Sequence, residues 1–118
     1  MDWNDELKAA GTEIDLPIRS LVYALNEIPG VYTFDSCGGH PNPILCQEPE
    51  GTWRVNFEIE HNARGWKALD LLARTTERFL PEELGLTVWS DGGPNFTLRG
   101  TCPPTPLARR IRRALSKT

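Results

Sequence analysis

The clearest pattern in the chain runs from Trp53 to Glu60. Trp53, Val55, Phe57 and Ile59 alternate there with Arg54, Asn56, Glu58 and Glu60. A period of two, with one apolar and one charged face, predicts a strand of an antiparallel sheet that is wet on one side. Upstream, Ile18, Leu21, Val22, Leu25 and Ile28 recur at helical spacing. Asp15 stands as an N-cap, Pro17 lies in the first turn, and Pro29-Gly30 stops the helix. Val31 to Phe34 is short and rich in β-branched and aromatic residues, which predicts a strand. Downstream, Asn62 caps a second helix whose apolar face is Trp66, Leu69, Leu72, Ala73, Thr76 and Phe79, ended by Pro81 and Gly85. Leu86 to Trp89 and Asn95 to Arg99 read as two more strands around the turn Asp91-Gly92-Gly93-Pro94. Pro103-Pro104 breaks the chain. Thr105 then caps a last helix, with Pro106 at its first position and Leu107, Ile111 and Leu115 as its apolar stripe.

The order is therefore α-β-β-α-β-β-α. It predicts an α+β fold with a four-stranded, largely antiparallel sheet and helices mainly on one face. Residues 1–14 are polar without a period and are expected as a flexible lead-in, loose or partly helical, leaving 15–118 as one domain. The two halves echo each other. "GVYTFDSCGGHPNP" and "GLTVWSDGGPN" both place an Asp and a Gly-Gly pair near a strand end, with Pro and Asn after them, as an αββ duplication would.

Composition changes this picture little. With 118 residues, 39% hydrophobic and 25% charged, the chain suits one globular domain with a core of its own. No apolar run reaches the ~18 residues of a membrane span, and the acidic start Met1-Asp2-Trp3-Asn4-Asp5-Glu6 does not resemble a secretory signal. Three cysteines, Cys37, Cys46 and Cys102, make no disulfide framework and suggest thiols in a reducing cytoplasm. Charge is uneven. From Thr101 onward the chain carries five cations and no acid, so residues 1–100 hold −8 of the net −3. Only that basic helix, with Arg109, Arg110, Arg112 and Arg113, can attract nucleic acid phosphates or another acidic partner.

The candidate chemistry lies in Asp35-Ser36-Cys37-Gly38-Gly39-His40. Two glycines allow a ligand close to the backbone, and successive amides in such a turn can hold an anion. Ser36 and His40 add hydrogen bonds, Asp35 shapes the loop or takes a hydroxyl, and Trp89 or Tyr32 can stack on a base. The turn Asp91, Gly92 and Gly93 is expected as a second wall of the same pocket. These residues suggest a binding module for a small anionic or nucleotide-like ligand, with a tail arginine, of this chain or of a second copy in a homo-oligomer, neutralising its charge. Cys37 and His40 also suit a thiolate–imidazolium pair, though three residues apart in a tight loop their side chains tend to diverge. No metal is expected. The set with metal-binding chemistry is Cys37, His40, Cys46 and Cys102, spaced C-x2-H-x5-C with a remote fourth member, and it would make a zinc-stabilised interaction protein. His61 reads as an exposed residue before the second helix.

The stretch IRSLVYALNEIPGVYTFDSCGGHP, Ile18 to Pro41, resembles a pattern in small bacterial and phage proteins. There a helix ending in "LN…PG" leads to a strand with "V.T" and a Ser-Cys-x-Gly-His element. It is more distantly similar to the wybutosine-pathway tRNA methyltransferase family, which carries Ser-Cys-Ser-Gly-Arg near its start. Ser36, Cys37 and Gly39 match by position, while His40 replaces Arg and Gly38 replaces Ser. That resemblance implies an S-adenosylmethionine-dependent enzyme acting on tRNA or a nucleotide, with this loop as its site.

Overall fold

A computed structural model describes residues 2–117. Its elements are α1 (Trp3–Ala9), α2 (Leu16–Glu27), β1 (Val31–Cys37), β2 (Trp53–Ile59), α3 (Ala63–Thr76), β3 (Leu84–Ser90), β4 (Pro94–Gly100) and α4 (Pro104–Ser116). One antiparallel sheet in the order β1-β2-β4-β3 carries the fold. The α+β class and the α-β-β-α-β-β-α succession from α2 onward agree with the apolar patterning.

The alternation in β2 has the expected consequence. Trp53, Val55, Phe57 and Ile59 are all buried, and they join Leu98 of β4, Ile18, Leu21, Val22 and Leu25 of α2, and Leu107 and Ile111 of α4 in one core. The opposite face carries Arg54, Asn56, Thr97 and Arg99, paired across β2 and β4. The helices thus lie on one face, and the other face is polar.

One expectation is sharpened and one corrected. The segment 1–14, expected as a loose or partly helical lead-in, contains the helix α1, capped by the Asp2 carboxylate at the Asp5 amide. Trp3 Nε1–H donates to the Thr33 carbonyl at 2.8 Å, and Asn4 Nδ2–H donates to the Tyr23 carbonyl at 3.1 Å. Two polar side chains anchor α1 there, so the apolar period gives no warning of it. The buried stripe of α3 is also rotated from the one expected. Ala68, Leu71, Leu72 and Thr75 face the core, and Trp66 is 74% exposed. The cause is Gly65. A Cβ on it would stand 1.6 Å from the Glu60 carbonyl oxygen. This contact fixes the orientation of the first turn and brings the small residues inward, against the ranking by hydrophobicity.

Candidate functional site

Strand β1 runs three residues further than its apolar pattern, so Asp35, Ser36 and Cys37 are strand and not loop. A bulge makes this possible. The register shifts between Thr33, opposite Phe57, and Asp35, opposite Asn56. Phe34 is the extra residue, and Phe34 and Asp35 are exposed in succession. Since directly opposed residues share a face, the shift turns Asp35 and Cys37 onto the polar face beside Asn56 and Arg54, and Ser36 toward the helices. Ser36 lines a small cavity of ≈ 110 Å³ with Ile14, Val22 and Thr33.

The connection from Gly38 to Thr52 folds back over the end of β1. Gly39 sits at φ 94°, and a Cβ there would come within 2.7 Å of the Thr52 carbonyl oxygen and 3.0 Å of that of Pro49. His40 N–H donates to the Glu48 carbonyl at 2.9 Å, and Glu48 N–H donates to Cys37 Sγ at 3.3 Å. Cys37 is only 3% exposed beneath this cover. Gly38 N–H donates to Asp15 Oδ2 at 2.9 Å, and His40 Nε2 lies 3.3 Å from the same oxygen. Of the successive amides expected to hold an external anion, that of Gly38 is thus engaged by the Asp15 carboxylate and that of His40 by the Glu48 carbonyl.

Asp15 reaches the loop because it is a poor cap for α2. An N-cap side chain usually accepts from the second or third helical amide. Pro17 has no N–H, and Ile18 N–H bonds the Asp15 carbonyl instead, at 3.1 Å. The carboxylate makes no capping bond. The donor atoms of Asp15, Cys37 and His40 consequently lie within 4.8 Å of one another. Among the described residues neither Cys46 nor Cys102 joins them. Cys46 is exposed and its carbonyl accepts from Arg54, while Cys102 packs against the core, where burial pushes its thiol up. The set Cys37, His40, Cys46 and Cys102 is not assembled.

A row of hydrogen bonds crosses the polar face through all four strands. Asn56 Nδ2–H donates to Asp35 Oδ2 at 3.0 Å, Thr97 Oγ1–H donates to Asn56 Oδ1, and Trp89 Nε1–H donates to Thr97 Oγ1 at 2.8 Å. Phe34 and Trp89, from the two edge strands, meet edge to face with centroids 6.3 Å apart. Beside them Arg99 makes a two-pronged contact with the Glu48 carboxylate at 3.0 and 2.8 Å, and Arg54 approaches Glu48 at 3.5 Å and Asp35 at 3.4 Å.

The Arg99 hydrogen bonds, more than its charge or that of Arg54, hold the Glu48 carboxyl below its ordinary 4.5. A depressed carboxylate stabilises the fold fully above its unfolded value and loses that contribution as pH falls through the folded one. Glu48→Gln should therefore be less stable than the parent near neutrality, and the gap should close as pH drops below 4.5. Urea melts of both proteins along a pH series check this. A gap that stays constant into acid would rule out the ionic contribution.

The second Gly-Gly turn lies elsewhere. β1 pairs antiparallel with β2, β2 with β4 and β4 with β3, so the ends of β1 and β3 are at opposite ends of the sheet. Asp91, Gly92 and Gly93 line a separate cleft of ≈ 330 Å³ with Tyr32, Glu58 and Glu60. Its carboxylates oppose an anion. The single pocket walled by both loops is thus corrected to two separate places. The basic helix does meet further cations. Arg110, Arg113 and Lys117 of the α4 end line a cleft of ≈ 380 Å³ with Arg74 and Arg78, and Glu77 is the one acid among its described lining residues.

Sequence reasoning missed Asp15 as a loop partner, and missed Phe34, Glu48 and Arg99 altogether. Pro17 two residues after an Asp was the available signal for Asp15. Compared with known proteins, the chain matches no family model, no curated sequence and no solved structure.

Proposed function

We propose that the protein is a binding module for a small, planar, anionic ligand of nucleotide type, held on the polar sheet face beside the DSCGGH element. The carrying observation is the aromatic roof over the hydrogen-bonded row. A face that only needs solvation presents polar side chains, whereas here Phe34, 47% exposed, reaches toward Trp89 above Asp35, Asn56 and Thr97. A base would enter between the two rings, and base–aromatic stacking is worth about 1–3 kcal/mol. The ligand's anion would replace the Glu48 carboxylate on Arg99, the more exposed of the two guanidiniums. The loop, pinned by Gly39 and by Asp15, forms the wall.

Titration with adenosine and guanosine 5′-monophosphate, followed by amide and indole N–H resonances, tests this reading. The Trp89 indole signal and the Arg99 and Arg54 amides should move, and Trp89→Ala should weaken binding by about tenfold or more. A polar face that stays still under either nucleotide would sink it. A second reading has its own observation in the cations Arg74, Arg78, Arg110, Arg113 and Lys117 of the α3–α4 cleft, which suit a nucleic acid backbone. Shifts confined to α3 and α4 on adding RNA would favour that reading over the first.

A further inference from the structure

We propose that Asp15, Cys37 and His40 form a mononuclear zinc site. The three side chains come from the start of α2, the end of β1 and the following loop, and their donor atoms lie within 4.8 Å of one another. They supply one oxygen, one sulfur and one nitrogen, a set that suits Zn²⁺, which is borderline soft and tetrahedral. With Zn–O and Zn–N of ~2.1 Å, two tetrahedral ligands stand about 3.4 Å apart. The His40 Nε2 to Asp15 Oδ2 separation is 3.3 Å. With Zn–S of ~2.3 Å, sulfur needs a slightly longer edge of about 3.6 Å, so gaps of up to 4.8 Å close by about 1.2 Å or less of side-chain movement.

Two features separate this cluster from a simple ion pair beside a buried thiol. A buried cysteine usually sits among apolar neighbours. Cys37 instead faces a carboxylate and an imidazole across the cluster while being shielded from water. The ligands are also oriented from behind by the main chain. Glu48 N–H points at Cys37 Sγ and Gly38 N–H at Asp15 Oδ2, as outer partners of metal ligands do. Binding would release the Sγ proton to solvent, move the proton of His40 Nε2 to Nδ1 or to solvent, and replace the direct His40–Asp15 contact by two bonds to the ion. Three protein ligands leave one position for water or for an anionic group brought by a ligand. This set differs from the cysteine-rich one that spacing suggested, because Asp15 is remote in sequence and Cys46 and Cys102 point to other surroundings.

Cobalt is the probe. Chelator-treated, reduced protein is titrated with Co²⁺ and followed by absorption. The expected result is one saturable equivalent with the intense visible bands of tetrahedral cobalt and a near-ultraviolet thiolate-to-cobalt band, both abolished by added Zn²⁺. Cys37→Ser should remove the thiolate band, Cys46→Ser should keep it, and His40→Ala should weaken binding by about tenfold or more. Zn²⁺ should raise the melting temperature of the parent and leave that of Cys37→Ser unchanged, a comparison that holds even where the variant is less stable. Absence of a saturable site, a weak octahedral spectrum, or a thiolate band that survives Cys37→Ser would each overturn the assignment.

Discussion

Gly65→Ala is expected to destabilise the protein by about 3 kcal/mol, although helix propensity alone gives the opposite sign. Gly65 lies in the first turn of α3. In an exposed helix, replacing glycine by alanine gains roughly 1 kcal/mol. Here the added methyl would stand 1.6 Å from the Glu60 carbonyl oxygen and 2.8 Å from the Ile59 side chain. Neither can yield cheaply. Glu60 N–H is bonded to the Gly30 carbonyl at 2.9 Å, and a Cβ on Gly30, at φ 91°, would stand 3.4 Å from the backbone of Arg64 and Gly65. The end of β2, the start of β1 and the start of α3 are thus pressed together at one point. Relief requires moving α3, which strips Asn62 of its capping bond to Gly65 N–H at 3.1 Å and disturbs Ala68, Leu71 and Leu72 in the core. Asn62→Ala is the reference, at about 1 kcal/mol for a lost cap. Urea denaturation of both variants decides the matter. A Gly65→Ala protein as stable as its parent, or more so, would mean that α3 is free to move away from β2.

Where a single face of an element decides its placement, the apolar pattern is sufficient. β2 and α2 are such elements, and their buried residues are those that the period of two and the helical period select, with Ala24 of α2 as an addition. The pattern fails where one backbone approach outweighs side-chain hydrophobicity. In α3 a missing methyl at Gly65 outweighs an indole at Trp66, because steric overlap rises far faster with distance than transfer free energy rises with area. It fails again in β1, where a bulge changes which face Asp35 and Cys37 take. Nothing in the run Thr33-Phe34-Asp35 marks the extra residue, since the bulge is set by pairing with β2 and not by β1 itself.

The candidate site was legible in part for the same reasons. The DSCGGH element stands out by composition, but its Cys37 and His40 converge, against the divergence expected of side chains three residues apart in a tight loop. Their third companion is out of reach of spacing arguments, because Asp15 comes to them only through the fold. The paired Gly-Gly turns carry a different lesson. The echo between the two halves suggested one shared pocket, but an αββ pair joined through its inner strands in antiparallel fashion relates the halves by a rotation. Equivalent turns must then fall at opposite ends of the sheet. The internal likeness of the two turns is thus what keeps them apart.

Ile111→Asp is expected to cost at least about 4 kcal/mol, the largest effect of any single exchange proposed for this protein. Two forces hold α4. One is apolar: Leu107, Ala108 and Ile111 are buried, with Ile111 at 0% exposure against the core. The other is ionic: Arg112 grips the Glu27 carboxylate of α2 with two hydrogen bonds of 3.0 Å. Their magnitudes are unequal. Removing most of a buried isoleucine side chain costs about 2–5 kcal/mol before any charge is considered. An aspartate there must also lose its hydration, or take up a proton to avoid doing so. The Arg112–Glu27 pair is more than a third exposed on both sides, so solvent screening leaves it worth about 1 kcal/mol or less. Arg112→Ala should therefore melt close to the parent, while Ile111→Asp loses roughly 10 °C or more, a large share of the ~5–15 kcal/mol typical of a domain. Ile111→Val, at about 0.5–1.5 kcal/mol, places the two on one scale. Thermal melts of the three variants show which force docks the helix. Equal melting of Ile111→Asp and the parent would detach α4 from the core, and the basic cleft that α4 shares with α3 would then have no fixed shape with which to hold a polyanion.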